Sequence, residues 1–113
     1  MSDYITIRKA PGKWVLRAGG AVLGETANAL ELTEGNLPPV IYFPKSDIAM
    51  AFLDVSQTRS VCPHKGQASY YSIQTKSAVI EDAGWCYETP KEGVEEIADH
   101  IAFYPDKATV ERV

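Results

Sequence analysis

The sequence is poor in several features, and each shortage excludes a class of protein. It has two cysteines in 113 residues, which are too few for a disulfide framework. Its longest apolar run, residues 48–53, is far shorter than a membrane-spanning helix. The N-terminal residues contain no apolar stretch of signal-peptide length. We therefore expect a cytoplasmic protein with reduced thiols and no contact with a membrane.

Positive charge is also scarce. Eleven lysines and arginines stand against fifteen acidic residues, for a formal net charge of −4. Proteins that bind duplex nucleic acid cluster basic residues against the phosphates, whereas the basic residues here are scattered. Duplex DNA or RNA is therefore not expected as a partner. The chain is 45% hydrophobic and 23% charged, which is typical of a globular domain, and we expect one domain over residues 1–113.

Short runs of β-branched and aromatic residues between turn signals predict a mainly β protein. The clearest strand, residues 40–43, lies between Pro39 and Pro44. Turn signals recur about every ten residues, as they do in antiparallel sheets. Gly19 and Gly20 predict a tight hairpin turn between two of the strands. Further predicted strands lie at residues 4–8, 13–17, 21–24, 29–32, 66–75, 78–87, 101–104 and 108–111.

Two short helices are predicted as well. Ser46 is placed to cap a helix through residues 48–51. Farther along, Thr89, Pro90 and Glu92 have the spacing of an N-cap, a first helical residue and a third helical residue. The inward side of this second helix is predicted to consist of Val94, Ile97 and Ala98.

Four segments occur in an order that resembles a known family. They are VIYFP at 40–44, CPHKGQASYY at 62–71, DAGWCY at 82–87 and AFYP at 102–105. Together they resemble the mainly bacterial domain of unknown function 427 (DUF427), which is also filed under a nucleotidyltransferase-like name. The resemblance covers nearly the whole chain and implies a β-tent-like fold, in which antiparallel sheets lean together over a cleft, related to zinc-binding regulators of the Mss-four type. It implies no particular activity.

The chain departs from the family pattern at two positions. His64 stands where relatives more often have tyrosine, and Cys86 where they more often have serine. A mechanism that uses either residue would therefore be peculiar to this chain.

Cys62 is the first candidate catalytic residue. Pro63 stiffens the chain beside it, and the positive charge of Lys65 or a protonated His64 favours a thiolate. A cysteine with a histidine is also the outline of a thiol hydrolase. The alternative is that Cys62 is a small packed side chain, which we favour because single-cysteine motifs transfer poorly between families.

Asp82 is the second candidate catalytic residue. With Glu81 and Asp54 it offers the hard oxygen ligands that Mg²⁺ prefers. The paired Asp-x-Asp arrangement of nucleotidyltransferases is absent, so we favour a structural role in which Asp82 accepts hydrogen bonds at a turn.

Zinc is a third possibility, because the chain contains two cysteines and two histidines: Cys62, His64, Cys86 and His100. The cysteines are 24 residues apart, and structural zinc sites use closely spaced pairs. We therefore predict no metal and no cofactor.

The leading functional hypothesis is a domain that binds a small anionic molecule in a cleft between sheets. Lys65, followed by Gly66, offers a positive charge beside a close backbone approach, and aromatic side chains with polar tips suit a ligand cleft. The predicted lining is Tyr42, Arg59, Cys62, Lys65, Tyr70, Asp82 and Trp85. The sequence does not decide whether the protein is an enzyme. The alternative function is a non-catalytic protein-interaction or homodimerisation module, since short antiparallel strands leave edges to be covered.

Overall fold

The computed structural model describes residues 4–113, which form ten strands and three 3₁₀ turns. The strands are Ile5–Lys9 (β1), Trp14–Ala18 (β2), Ala21–Thr26 (β3), Leu30–Glu34 (β4), Val40–Pro44 (β5), Leu53–Cys62 (β6), Gly66–Gln74 (β7), Val79–Tyr87 (β8), His100–Phe103 (β9) and Thr109–Arg112 (β10). The 3₁₀ turns are Lys45–Asp47, Met50–Phe52 and Glu95–Ile97. The predicted mainly β class is confirmed.

The strands form two antiparallel sheets. A seven-stranded sheet has the order β1-β4-β5-β9-β8-β7-β6, and a three-stranded sheet has the order β10-β2-β3. The predicted turn at Gly19 and Gly20 connects β2 to β3, and both glycines have the positive φ that a tight hairpin needs. Within residues 4–113, no helix has the length and apolar character that crossing a membrane requires.

One face of the seven-stranded sheet packs on the three-stranded sheet. The core between them contains Leu16 and Leu23 from the small sheet and Phe43, Ile73 and Ile101 from the large one. Successive side chains on a strand point to opposite faces. Tyr42 and Ala102, the neighbours of Phe43 and Ile101, therefore point away from the small sheet, and they belong to a second hydrophobic cluster on the other face.

The seven-stranded sheet is narrow at one joint and irregular near β7. Strands β5 and β9 pair over two residue pairs only, Phe43 with Ile101 and Pro44 with His100. The register shifts between β6 and β7 after Val55, and it shifts again between β7 and β8 around residues 71–73. Bulges of this kind increase local twist and bend a strand. The short joint between β5 and β9 divides the large sheet into two parts, β1-β4-β5 and β9-β8-β7-β6.

The two predicted helices were wrong, since residues 4–113 contain 3₁₀ turns but no α-helix. Ile48 is extended and makes an isolated bridge with Gly24 instead of a helical turn. The segment after Thr89 is also not helical, because Gly93 has a φ of 98°, outside the right-handed helical region. In both segments the backbone also bonds to a distant part of the chain: the Ala49 N–H donates to the Leu23 carbonyl, and the Lys91 N–H donates to the Lys65 carbonyl.

Strand β6 was not predicted, although it is ten residues long. It lies at the edge of the large sheet, and most of its side chains are exposed on both faces. A half-buried strand alternates apolar and polar residues. Residues 53–62 lack this alternation because both faces meet solvent, and so the sequence gives no signal for β6.

Candidate functional site

A tyrosine-rich cavity of about 270 Å³ lies on the face of the large sheet that points away from the small one. Its walls come from β4, β5, β7 and β8 and from the loops beside them. The lining residues are Leu32, Glu34, Leu37, Pro38, Val40, Tyr42, Lys65, Tyr70, Trp85, Tyr87 and Tyr104. We refer to this space as the aromatic cavity.

Strand periodicity explains why these side chains converge. Strand β4 contributes Leu32 and Glu34 and strand β8 contributes Trp85 and Tyr87, each pair two residues apart. Residues two apart on a strand share a face. Strand β5 follows the same rule with Val40 and Tyr42. Both parts of the large sheet therefore present side chains to the same hollow.

Trp85 and Tyr42 meet above a small residue. Trp85 pairs with Ala102 on β9, and β9 separates β8 from β5. Because Ala102 is fully buried and has only a methyl group, the two large side chains reach across it. The Trp85 Nε1–H donates to the Tyr42 hydroxyl at 3.3 Å, and the rings meet edge to face at 83° with centroids 6.4 Å apart.

The charged part of the cavity is an ion pair between Lys65 and Glu34. Lys65 Nζ lies 2.7 Å from Glu34 Oε1, and their side chains are only 11% and 18% exposed. Lys65 ends the turn from β6 to β7, where its N–H donates to the Cys62 carbonyl at 3.2 Å. The Lys65 carbonyl accepts from Lys91, so hydrogen bonds hold the backbone of the lysine on both sides.

The hydroxyls of Tyr42, Tyr87 and Tyr104 remain protonated at neutral pH. Burial raises the pKa of Tyr42 to about 12 and that of Tyr104 to about 12, and it also raises the pKa of Tyr87.

The remaining aromatic side chains of the cavity are held by contacts with their neighbours. Tyr70 shares a hydrogen bond of 2.8 Å with Ser60 Oγ. Trp85 stacks in a tilted arrangement on Tyr104, with ring centroids 4.6 Å apart. The cavity therefore offers hydroxyl donors and flat aromatic surfaces around one ion pair.

Four of the seven residues predicted to form a site line this cavity together: Tyr42, Lys65, Tyr70 and Trp85. Cys62 is partly buried and packs against the same hydrophobic cluster, but it is not part of the lining. Arg59 and Asp82 lie outside the cavity.

Arg59 and Asp82 instead stabilise the two irregular strands beside β7. The Arg59 guanidinium donates through Nη1 to the carbonyls of Ser56 and Thr58 at 2.8 and 2.7 Å. Asp82 has a φ of 50°, and its carboxylate accepts from the Thr58 hydroxyl at 2.7 Å. Hydrogen bonds from Ser56 and Thr58 lower the pKa of Asp82. Asp82 therefore accepts a side-chain hydrogen bond, as in the structural interpretation that we favoured, but it lies inside β8 rather than at a turn.

The four candidate zinc ligands are not brought together. Cys86 is fully buried in the core between the two sheets, whereas Cys62 packs on the opposite face of the large sheet. Burial raises the pKa of Cys86 to about 11, and its thiol donates to Glu88 at 3.4 Å. Over the part of the chain that the structure describes, no three His, Cys, Asp or Glu side chains converge as metal ligands do.

Sequence reasoning did not propose Glu34, Tyr87 or Tyr104 as site residues. Glu34 lies beyond the predicted strand at residues 29–32, yet it follows Leu32 by two residues and so shares its face. The same rule relates Tyr87 to Trp85. A signal was therefore present for both, whereas the place of Tyr104 beside Trp85 depends on how the chain leaves β9.

Comparison with known proteins supports the family resemblance. No curated protein sequence matches the chain significantly. The sequence profile described as a domain of unknown function (DUF427) matches residues 6–113, which is nearly the whole chain. The chain therefore belongs to the DUF427 family, as the order of its four sequence segments predicts.

Proposed function

We propose that this protein binds a small organic molecule with an acidic group in the aromatic cavity. The observation that carries the proposal is the position of Lys65 Nζ in a hollow that is otherwise walled mainly by aromatic and apolar side chains. Small-molecule sites are typically concave and largely apolar, with a few polar groups that orient the ligand.

We expect different lining residues to contact different parts of the ligand. Trp85 and Tyr104 present flat surfaces for an unsaturated or apolar part of the ligand. Tyr42 and Tyr87 keep protonated hydroxyls, which can donate hydrogen bonds to acceptor atoms of the ligand. Lys65 has three N–H donors, and Glu34 accepts one of them, which leaves donors for an acidic group.

Binding, rather than catalysis, is the function we propose for this cavity. Neither of the candidate catalytic residues, Cys62 and Asp82, is among the lining residues. Asp82 is engaged with Thr58, and Cys62 begins the turn that positions Lys65.

The two tryptophans of the chain provide the test. The Trp85 indole N–H lies in the aromatic cavity, whereas Trp14 lies on β2 of the small sheet and its indole N–H donates to the Pro11 carbonyl. In a ¹H–¹⁵N spectrum, benzoate and phenylacetate are expected to shift the Trp85 indole signal and to leave the Trp14 signal in place.

A pair of matched variants completes this experiment. Lys65→Met should weaken the response to benzoate, and the exposed Lys76→Met should not change it. If benzoate, phenylacetate and the amino acid L-phenylalanine all leave the Trp85 signal unmoved at millimolar concentration, or if Lys65→Met responds to benzoate as the wild type does, the proposed function is wrong.

A second candidate function, homodimerisation, is favoured by the edge of the large sheet. Strand β6 has no strand on its outer side in residues 4–113, and Val61 is 74% exposed there. Unpaired edges invite strand addition, although Arg59 already occupies two of the carbonyls in this strand. Light scattering at high concentration tests it: a dimer that Val61→Lys dissociates supports self-association, and a monomer excludes it.

A further inference from the structure

We infer that the ligand of the aromatic cavity is a zwitterion, with a cationic group for Glu34 and an acidic group for Lys65. This inference rests on the proposed function and names its ligand class. The observation behind it is that both charges of the ion pair line the same cavity, 2.7 Å apart.

The net charge of the lining disfavours a ligand with a single charge. Lys65 and Glu34 are the two charged residues in the lining, so their charges cancel. A simple anion that approaches Lys65 is also repelled by the carboxylate of Glu34. The attraction to Lys65 therefore does not offset the free energy that the anion loses when it leaves water. The same reasoning, with the signs exchanged, disfavours a simple cation.

A zwitterion avoids both penalties. Its acidic group takes the free donors of Lys65 while its ammonium group donates to Glu34, so each charge meets an opposite charge. The two charges of the ligand then lie opposite the two charges of the ion pair. Electrostatic complementarity of this kind determines which ligand is accepted.

An apolar groove next to the aromatic cavity provides space for the rest of the molecule. This groove is about 460 Å³ and shares Leu37, Pro38, Val40 and Trp85 with the cavity. Its other walls include Phe103 and Pro105. An apolar side group that projects past Trp85 would therefore remain on apolar surface, which favours zwitterions of the amino-acid type with a large apolar group.

Three probes with the same phenyl group test the inference: L-phenylalanine, 3-phenylpropionate and 2-phenylethylamine. They carry both charges, only the negative charge and only the positive charge, respectively. Titration of the Trp85 indole signal should show L-phenylalanine bound about tenfold more tightly than either of the others. The Trp14 signal verifies that the protein stays folded throughout.

Variants of the ion pair should change the preference in opposite directions. In Glu34→Gln, 3-phenylpropionate should bind at least as tightly as L-phenylalanine, and in Lys65→Met, 2-phenylethylamine should do so. Glu25→Gln, which alters an exposed carboxylate on the small sheet, should keep the wild-type order.

The outcomes separate this inference from the proposed function. If the wild type binds 3-phenylpropionate most tightly, the zwitterion is excluded while the acidic ligand stands. If it binds 2-phenylethylamine most tightly, or binds none of the three, both proposals are overturned. Should a variant fail to fold, the order of the three probes on the wild type still decides.

Discussion

Lys65 Nζ lies 2.7 Å from Glu34 Oε1, although three strands of the large sheet lie between the two residues. Glu34 ends β4, Lys65 precedes β7, and β5, β9 and β8 lie between them in the large sheet. In a flat sheet, four strand intervals would place these backbones about 19 Å apart. The ion pair therefore exists because the sheet folds over, and the same fold creates the aromatic cavity.

Loss of one partner of this ion pair should destabilise the protein measurably. Lys65→Met leaves the carboxylate of Glu34 largely buried without its counter-charge, so we expect the free energy of unfolding to fall by about 2 kcal/mol. In urea denaturation, the double variant Lys65→Met/Glu34→Gln should recover part of this loss. Lys13→Met, which breaks an exposed pair with Glu25, should cost about 0.5 kcal/mol or less. Equal costs for Lys65→Met and Lys13→Met would contradict the burial of the first pair.

Tyr42 should make the stability depend on pH in the alkaline range. Burial raises the pKa of Tyr42 to about 12, above the ordinary value of about 10 for an unfolded tyrosine. A group whose pKa is raised in the folded state stabilises the fold fully below its unfolded pKa, and the contribution is lost as the pH rises through the folded pKa. From pH 10 to pH 12 we therefore expect a loss of roughly 2 kcal/mol from this residue.

The control for this effect is Tyr42→Phe. That variant loses the hydrogen bond from Trp85 and should be less stable by about 1 kcal/mol at pH 8, but its stability should decline less between pH 10 and pH 12. Unfolding curves measured by circular dichroism decide the point, because parallel declines in the two proteins would show that Tyr42 does not titrate as proposed.

Asp82 should be stabilising because its side chain spans the irregular strands on either side of β7. Asp82→Ala removes the hydrogen bond from Thr58, and alanine must still adopt the positive φ of this position. We therefore expect the free energy of unfolding to fall by about 1 to 2 kcal/mol. Asp82→Gly should be less harmful by about 1 kcal/mol, since glycine accepts that φ without strain. If the glycine variant is the less stable of the two, backbone strain at this position plays no part.

Asp82 should also contribute to acid sensitivity. Its hydrogen bonds lower its pKa in the folded state, so its stabilising effect is present above the unfolded pKa of about 4 and is lost as the pH falls through the folded value. Thr58→Val removes one of these hydrogen bonds. Acid titrations of stability should therefore be flatter in Thr58→Val than in the wild type.

The two thiols should differ sharply in reactivity. Cys86 is fully buried, and burial raises its pKa to about 11, whereas Cys62 is partly exposed. In the native protein at pH 8, a disulfide reagent should modify Cys62 rapidly and Cys86 only when the chain unfolds. Cys62→Ser should remove the rapid phase, and a rapid phase that survives in this variant would show that Cys86 is accessible.

Local signals in the sequence were sufficient for most of the strands. Residues 40–43 were predicted from β-branched and aromatic side chains between two prolines, and they correspond to β5. The signals for the two helices were equally local, but contacts from Gly24 and Lys65 bind the backbone in those segments. Strand β6 was missed because an exposed edge strand has no buried face to reveal it.

The candidate site was predictable only in part. Tyr42, Tyr70 and Trp85 were proposed from their aromatic character and Lys65 from its charge, and the structure brings these four together. Glu34 was missed because it lies 31 residues before Lys65 in the sequence. Without Glu34, the sequence predicted a simple anionic ligand; the pairing of Glu34 with Lys65 is the reason that we infer a ligand with both charges.

The chain alone specified where strands and tight turns occur, because proline, glycine and β-branched residues restrict the backbone through contacts with their immediate neighbours. It also restricted which side chains share a strand face, through the alternation of successive residues. Which strand ends meet was settled by the order of the strands and the folding over of the large sheet. Those features depend on packing between distant segments, and so the partnership of Lys65 with Glu34 became visible only in three dimensions.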